Sequence, residues 1–167
     1  FVSNLIGMEA LSAINLTAPA IALITAVSGM LATGGSAVVM KKMGEHKEEE
    51  ARQDFTLLIL TNAAVGAVMM LLGYTLMDTL LGAMGLSPAV FGYCHTYLSN
   101  YLLFTIPILL MYNFSLYLIA ADKSALSLIC TVAGGVTNII LDYALISLFD
   151  LGIQGAAIAT GLGYSIT

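Results

Sequence analysis

Charge is what this sequence has least of. Lys, Arg, Asp and Glu make up 9% of its 167 residues, where a soluble domain carries about 25%. With 59% hydrophobic residues and a mean hydropathy of +0.97, that scarcity excludes a soluble globular domain and places the chain in a membrane. Cysteine is also rare. The two thiols, Cys94 and Cys130, fall near opposite faces of the membrane, too far apart for a disulfide. His46 and His95 fall on opposite sides as well, so no metal constellation forms. No phosphate-cradling Gly-rich loop occurs, and no nucleophile–base pair is evident, which argues against an enzyme. The N-terminus lacks the charged region and small-residue cleavage site of a signal peptide. It opens on FVSNLIG and reads as a piece of something longer. The net charge of −5 lies mostly in loops and at helix ends, and no nucleic-acid partner is expected.

The few charges divide the chain into five apolar segments. Residues 10–40 carry none, and Lys41, Lys42, Glu45, Lys47, Glu48, Glu49, Glu50, Arg52 and Asp54 follow as one polar stretch. Residues 55–81 form a second run, interrupted near its end by Asp78, and GAMGLSP supplies a turn. Residues 89–121 are uncharged and long enough to cross a bilayer once but not twice, which predicts a long or tilted third span. Asp122 and Lys123 form a short turn, residues 124–149 are the fourth segment, and residues 153–167 the fifth. Pro19 and Pro107 are expected to bend the first and third spans. Gly29, Gly34, Gly35 and Ser36 should allow close packing along the first.

Lys and Arg fix an orientation. Lys41, Lys42, Lys47 and Arg52 share the first loop, Lys123 lies in the third, and the second and fourth loops hold none. Loops one and three are therefore expected to be cytoplasmic, with Phe1 and Glu9 outside. The alternation fits five consecutive crossings.

Asp142 stands alone in the fourth segment. A carboxylate near the centre of a membrane helix costs roughly 3 kcal/mol on insertion scales, and ion or proton handling is the usual reason for one. Asn138 lies one turn deeper on the same face. Thr160 lies at a matching depth on the next span, which the short connection makes an antiparallel neighbour. The three side chains can converge, helped by Gly134 and Gly135 on one helix and the Gly155, Ala159, Gly163 ridge on the other. Asn138 and Thr160 taken singly fit interhelical hydrogen bonding as well as they fit a ligand role. For Asp142 function outweighs structure, because Ser or Asn would make one hydrogen bond at lower cost. Burial disfavours its charged form while a cation or hydrogen-bond donors favour it, the balance an ion-exchanging group requires.

Other residues carry weaker signals. His95 sits among Tyr93, Tyr97 and Tyr101 near the outer end of the third span, which reads as an interfacial aromatic belt. Asp78 is expected where water reaches it. Met69, Met70, Met77 and Met111 fit core packing before they fit a promiscuous cavity.

The stretches LTAPAIALITAVSGMLATGGSAVVMKKMGE, TNIILDYALI and LGIQGAAIAT resemble, in order and spacing, the amino-terminal lobe of the multidrug and toxic compound extrusion (MATE) transporters. FVSNLIGMEALSAIN resembles the end of that family's first helix and the loop into its second. The resemblance implies an all-α, polytopic membrane fold. In it, residues 1–167 are a partial amino-terminal lobe, about five transmembrane helices of a six-helix lobe, in a protein of twelve helices and two pseudo-symmetric lobes. It also implies a multi-pass protein of a bacterial inner membrane, in contact with membrane lipid. The implied activity is antiport, with export of an amphipathic, often cationic small molecule driven by H⁺ or Na⁺ and no other cofactor. Asn138, Asp142 and Thr160 match the family's amino-lobe cation site. The first-helix carboxylate of that site has no counterpart here, so both coupling ions remain open. The missing first helix and carboxyl-terminal lobe would be the chain's partners. Two alternatives are a lipid or lipid-linked oligosaccharide flippase of the same superfamily and a non-transporting membrane subunit. The absence of Lys or Arg inside a span argues against the flippase.

Overall fold

The computed structural model of the protein describes residues 7–167. Of the stretch FVSNLIGMEALSAIN, residues 1–6 lie outside the described residues, and the part from Met8 onward, expected to run from a helix end into a loop, already belongs to the first long helix. Helix α1 (Met8–Gly44) and helix α2 (Glu48–Ala83) form a long antiparallel hairpin. At 37 and 36 residues, each extends about 55 Å at 1.5 Å per residue, well beyond a hydrocarbon layer of about 30 Å. Their excess length accounts for the polar stretch after residue 40, which is helix ends and not the loop expected there. The connection is only Glu45, His46 and Lys47, with His46 in the left-handed region (φ 59°). Lys41 and Lys42 close α1, and Glu48, Glu49 and Glu50 open α2, each sign favourable to the helix dipole at that end. The Lys42 ammonium reaches Asp54 at 2.7 Å and Glu50 at 3.5 Å, tying the hairpin shut at its tip.

Residues 84–87 turn the chain into α3 (Pro88–Leu102), whose start is set by Pro88 and by the Ser87 side chain accepting from the Val90 amide at 3.4 Å. The expected long third span is instead two helices. Helix α4 (Thr105–Ala120) follows after Leu103 and Phe104, at an angle of 54° to α3. The break sits where Pro107 puts it, because a proline ring clashes with the carbonyl four residues earlier, here Leu103. Gly161 accepts the Phe104 ring at the bend, a position any Cβ would occupy. Pro19, by contrast, lies inside α1 without ending it.

Helix α5 (Ser124–Tyr143) passes directly into one π-helical turn, Ala144–Leu148, and α6 (Gly152–Ile166) returns alongside it. Asp150 and Gly152 both adopt positive φ in the connection. Three helical stretches (Met8–Gly44, Glu48–Ala83 and Ser124–Leu148) are individually long and apolar enough to cross a membrane, and the bent α3–α4 pair makes a fourth when counted as one span. Helix α6, the fifth segment, has 15 residues.

The core lies where α1, α3, α4 and α6 meet, around Ala10, Ala13, Cys94, Tyr101, Ile108 and Ala157. Helix α2 adds Met77 and Leu81 to that core, while other positions of α2 and α5 turn Leu57, Leu71, Ile129 and Ile139 outward, as hydrocarbon contact requires. Only Gly35 of the first-span glycines meets a neighbour, the Leu58 side chain; Gly29 and Gly34 face open space, so that part of the expected close packing is absent. A buried amide pair holds α2 to α4. Asn113 Nδ2 donates to Asn62 Oδ1 at 2.7 Å, and both residues are essentially inaccessible.

Candidate functional site

Close approach of α5 and α6 creates the site. A Cβ on Gly163 would stand 3.0 Å from the Gly134 carbonyl oxygen and 3.0 Å from the Asn138 Cβ, and one on Gly134 would lie 2.6 Å from the Gly163 carbonyl. Gly155 packs against the Leu145 backbone in the same way, at 3.1 Å. The small residues noted in the sequence are therefore contact points. They bring Asn138 Nδ2 to 3.5 Å from Thr160 Oγ1, which itself donates to the Ala156 carbonyl at 2.9 Å. The threonine hydroxyl thus keeps a lone pair for the amide.

Asp142 takes a different place. It is half-buried, one residue before the end of α5, and its Oδ1 is buried without a hydrogen-bond partner among the described residues. Neither Asn138 nor Thr160 bonds to it. Buried Tyr97 of α3 has the Thr160 side chain and, farther off, Asp142 among its neighbours. Asn138 and Thr160 also line a cleft of about 220 Å³ together with Met111, Thr131, Tyr164 and Thr167. Asp142 is not part of that lining.

Tyr97 and Tyr101 correct the aromatic-belt reading. They are 6% and 1% exposed, and their rings stack at 6.2 Å. The sequence held a signal for this. Cys94, Tyr97, Leu98, Tyr101 and Leu102 repeat at helical spacing and are the buried stripe of α3. His95 is on the exposed side, pairing with Asp78 at 3.4 Å and stacking on Phe91 at 6.3 Å. Asp78 is 75% exposed. Both cysteines are free, and the buried Cys94 thiol faces the Ala13 carbonyl at 3.7 Å. Met77 is buried in the core, with Met69 and Met70 packed against it, and Met111 lines the cleft. Among the described residues no group of three His, Cys, Asp or Glu side chains could hold a metal ion.

The family model described as MatE matches residues 1–144. The chain belongs to the MatE family. It is 24% identical over 162 residues to the multidrug export protein MepA of Staphylococcus saprophyticus, which covers 97% of this chain and 36% of that protein. MepA of Staphylococcus aureus shows the same identity and coverage. Among solved structures, a MATE protein in the bent conformation superposes with a TM-score of 0.92 at 24% identity, over 99% of this chain and 37% of that one. The bent form of the Vibrio cholerae MATE transporter VcmN gives 0.85 at 29% identity, over 99% and 38%. The fold is therefore that of a multi-pass α-helical membrane protein of MatE type. The chain spans a little over a third of the length of the curated relatives it matches.

Proposed function

We propose that this MatE chain is part of the amino-terminal lobe of a secondary active antiporter, which exports amphipathic, often cationic compounds in exchange for H⁺ or Na⁺. Asp142 is the coupling carboxylate in this reading, with Asn138 and Thr160 as neutral oxygen-bearing neighbours. One observation carries it: a buried carboxylate oxygen on a membrane helix, without a partner among the described residues, on the same helix as one half of a cross-helix amide–hydroxyl pair. Such an oxygen is unfavourable unless a proton, a cation or a further residue engages it. Occupancy by an ion would then alter how α5 sits against α6 and α3. The multidrug export assigned by name to the MepA relatives supports the substrate class.

Asp142→Asn in the full-length protein tests the proposal. An amide keeps the shape but cannot gain or lose the charge, so ion-coupled efflux should be abolished at equal membrane protein levels. Asn138→Ala and Thr160→Ala each remove one neutral partner from a site that keeps its carboxylate, and should weaken coupling less. Normal export by Asp142→Asn, with unchanged dependence on pH and Na⁺, would make the residue structural.

A further inference from the structure

The α1–α2 hairpin carries a second concave feature, away from Asp142 and near the end that holds its Lys and Arg residues. Gly35, Val38 and Val39 of α1 and Leu57, Leu58 and Thr61 of α2 line a groove of about 270 Å³, with Asp54 at the end nearest the hairpin tip. Spacings of three and four residues put each set on one face of its helix. No other helix contributes to the lining among the described residues. Gly35 lets the two helices come close, since the Leu58 side chain lies where its Cβ would stand. Buried Val39 forms the floor, and Val38 and Leu57, 51% and 63% exposed, form the rim.

The same two faces continue past the groove into charge. Lys42 stands one turn beyond Val38 and Val39, and Glu50 one turn before Asp54. Lys42 Nζ meets Asp54 Oδ2 at 2.7 Å and Glu50 Oε2 at 3.5 Å, and the Glu50 side chain is 55% exposed. An ammonium has three donors and a carboxylate about four lone-pair sites, so each group has capacity for a further partner. Gly35 lies about 10 Å from Lys42 along the helix axis. An apolar groove open to hydrocarbon, ending at this triad, matches a phospholipid with an acyl chain along the groove and its headgroup at the charges. The triad also selects the headgroup. One ammonium against two carboxylates leaves a net negative charge, which disfavours an anionic lipid. A zwitterionic headgroup offers its phosphate to Lys42 and its amine to the carboxylates, and a primary ammonium donates hydrogen bonds that a trimethylammonium cannot.

We propose that the α1–α2 groove binds a phosphatidylethanolamine-type lipid of the leaflet at the hairpin tip. Val38, Leu57 and Thr61 contact its acyl chain, and Lys42, Glu50 and Asp54 its headgroup. One lipid then touches both helices and adds to the closure of the hairpin.

Native mass spectrometry of the delipidated full-length protein tests this, with phosphatidylethanolamine, phosphatidylcholine and phosphatidylglycerol of identical acyl chains titrated separately. The first phosphatidylethanolamine should bind about tenfold more tightly than either other lipid, the scale of one charge-assisted hydrogen bond. Glu50→Gln keeps the shape and the closer Lys42–Asp54 pair, and should erase most of that preference. Val38→Trp fills the groove from its rim and should weaken the first binding of all three lipids. Both positions are exposed, so melting temperatures in detergent should be unchanged. Leu60→Trp, on α2 outside the groove and 62% exposed, should bind as the original protein does. Equal binding of the three lipids by the original protein, or a full preference kept in Glu50→Gln, would overturn the headgroup assignment and with it the proposal. Val38→Trp binding all three lipids as the original does would mean that no acyl chain enters the groove. If Val38→Trp lowers the melting temperature without changing lipid binding, another segment of the full-length protein covers the groove and the lipid site is wrong.

Discussion

At the scale of single residues, the buried polar groups divide, among the described residues, into those with partners and those without. Asn62 and Asn113 belong mainly to the first kind. Their amides bond each other and the Leu58 and Leu109 carbonyls, which is structural glue between α2 and α4. Asn62→Ala should lower stability by about 1–3 kcal/mol, because it strips a partner from an Asn113 amide that stays buried. Replacing both residues by Leu should be milder than that single change. Denaturation midpoints in detergent, measured for the single and double variants, check the ordering. Asp142 belongs to the second kind, and its isolation in an uncharged run was legible in the sequence. Its relation to Tyr97 was not, because contacts between α3 and the α5–α6 pair depend on a bend that residue spacing does not specify.

At the scale of elements, glycine positions decide how near α5 and α6 come. Gly134→Ala would push a methyl to within 2.6 Å of the Gly163 carbonyl and into the Thr167 side chain. The helices must separate, with a loss on the order of 1–3 kcal/mol and a longer gap between Asn138 and Thr160. A Cβ on the adjacent Gly135 would meet nothing within 4 Å and would point into the cleft, so Gly135→Ala should leave stability near its original value. Thermal unfolding of the two variants distinguishes them. The apolar runs located most of these elements because a membrane helix must satisfy its own backbone. The third run misled on one point: hydropathy reports that residues 89–121 suit hydrocarbon and is silent on direction. The break at Leu103 is a steric effect of Pro107, visible in sequence only as a proline with several compatible outcomes.

At the scale of the whole molecule, the long α1–α2 hairpin carries all its Lys and Arg at one end, and that end is expected in the cytoplasm. In a cysteine-free background, single cysteines at Glu48 and Ser87 should label from opposite sides of the membrane. Labelling of both from outside would reverse the orientation. A second expectation follows from alternating access, which requires two bodies moving about a shared site. The 167-residue chain alone, reconstituted in vesicles, should not accumulate or release substrate, whereas the full-length protein should.

The π-helical turn at Ala144–Leu148 has one more consequence. A π turn holds an extra residue within an otherwise regular helix, and this one separates Asp142 from the connection that aims Thr160. Removing one residue from 144–148 should let the segment close as ordinary α-helix while Asp142 keeps its place, at the expense of rotating everything that follows. Homologous chains one residue shorter here would then place their alignment gap inside the helix and not in the turn at Asp150. In such chains Thr160 would turn away from the Asn138 amide it meets here, so length variation at this single point would record which relatives keep that contact and which have lost it.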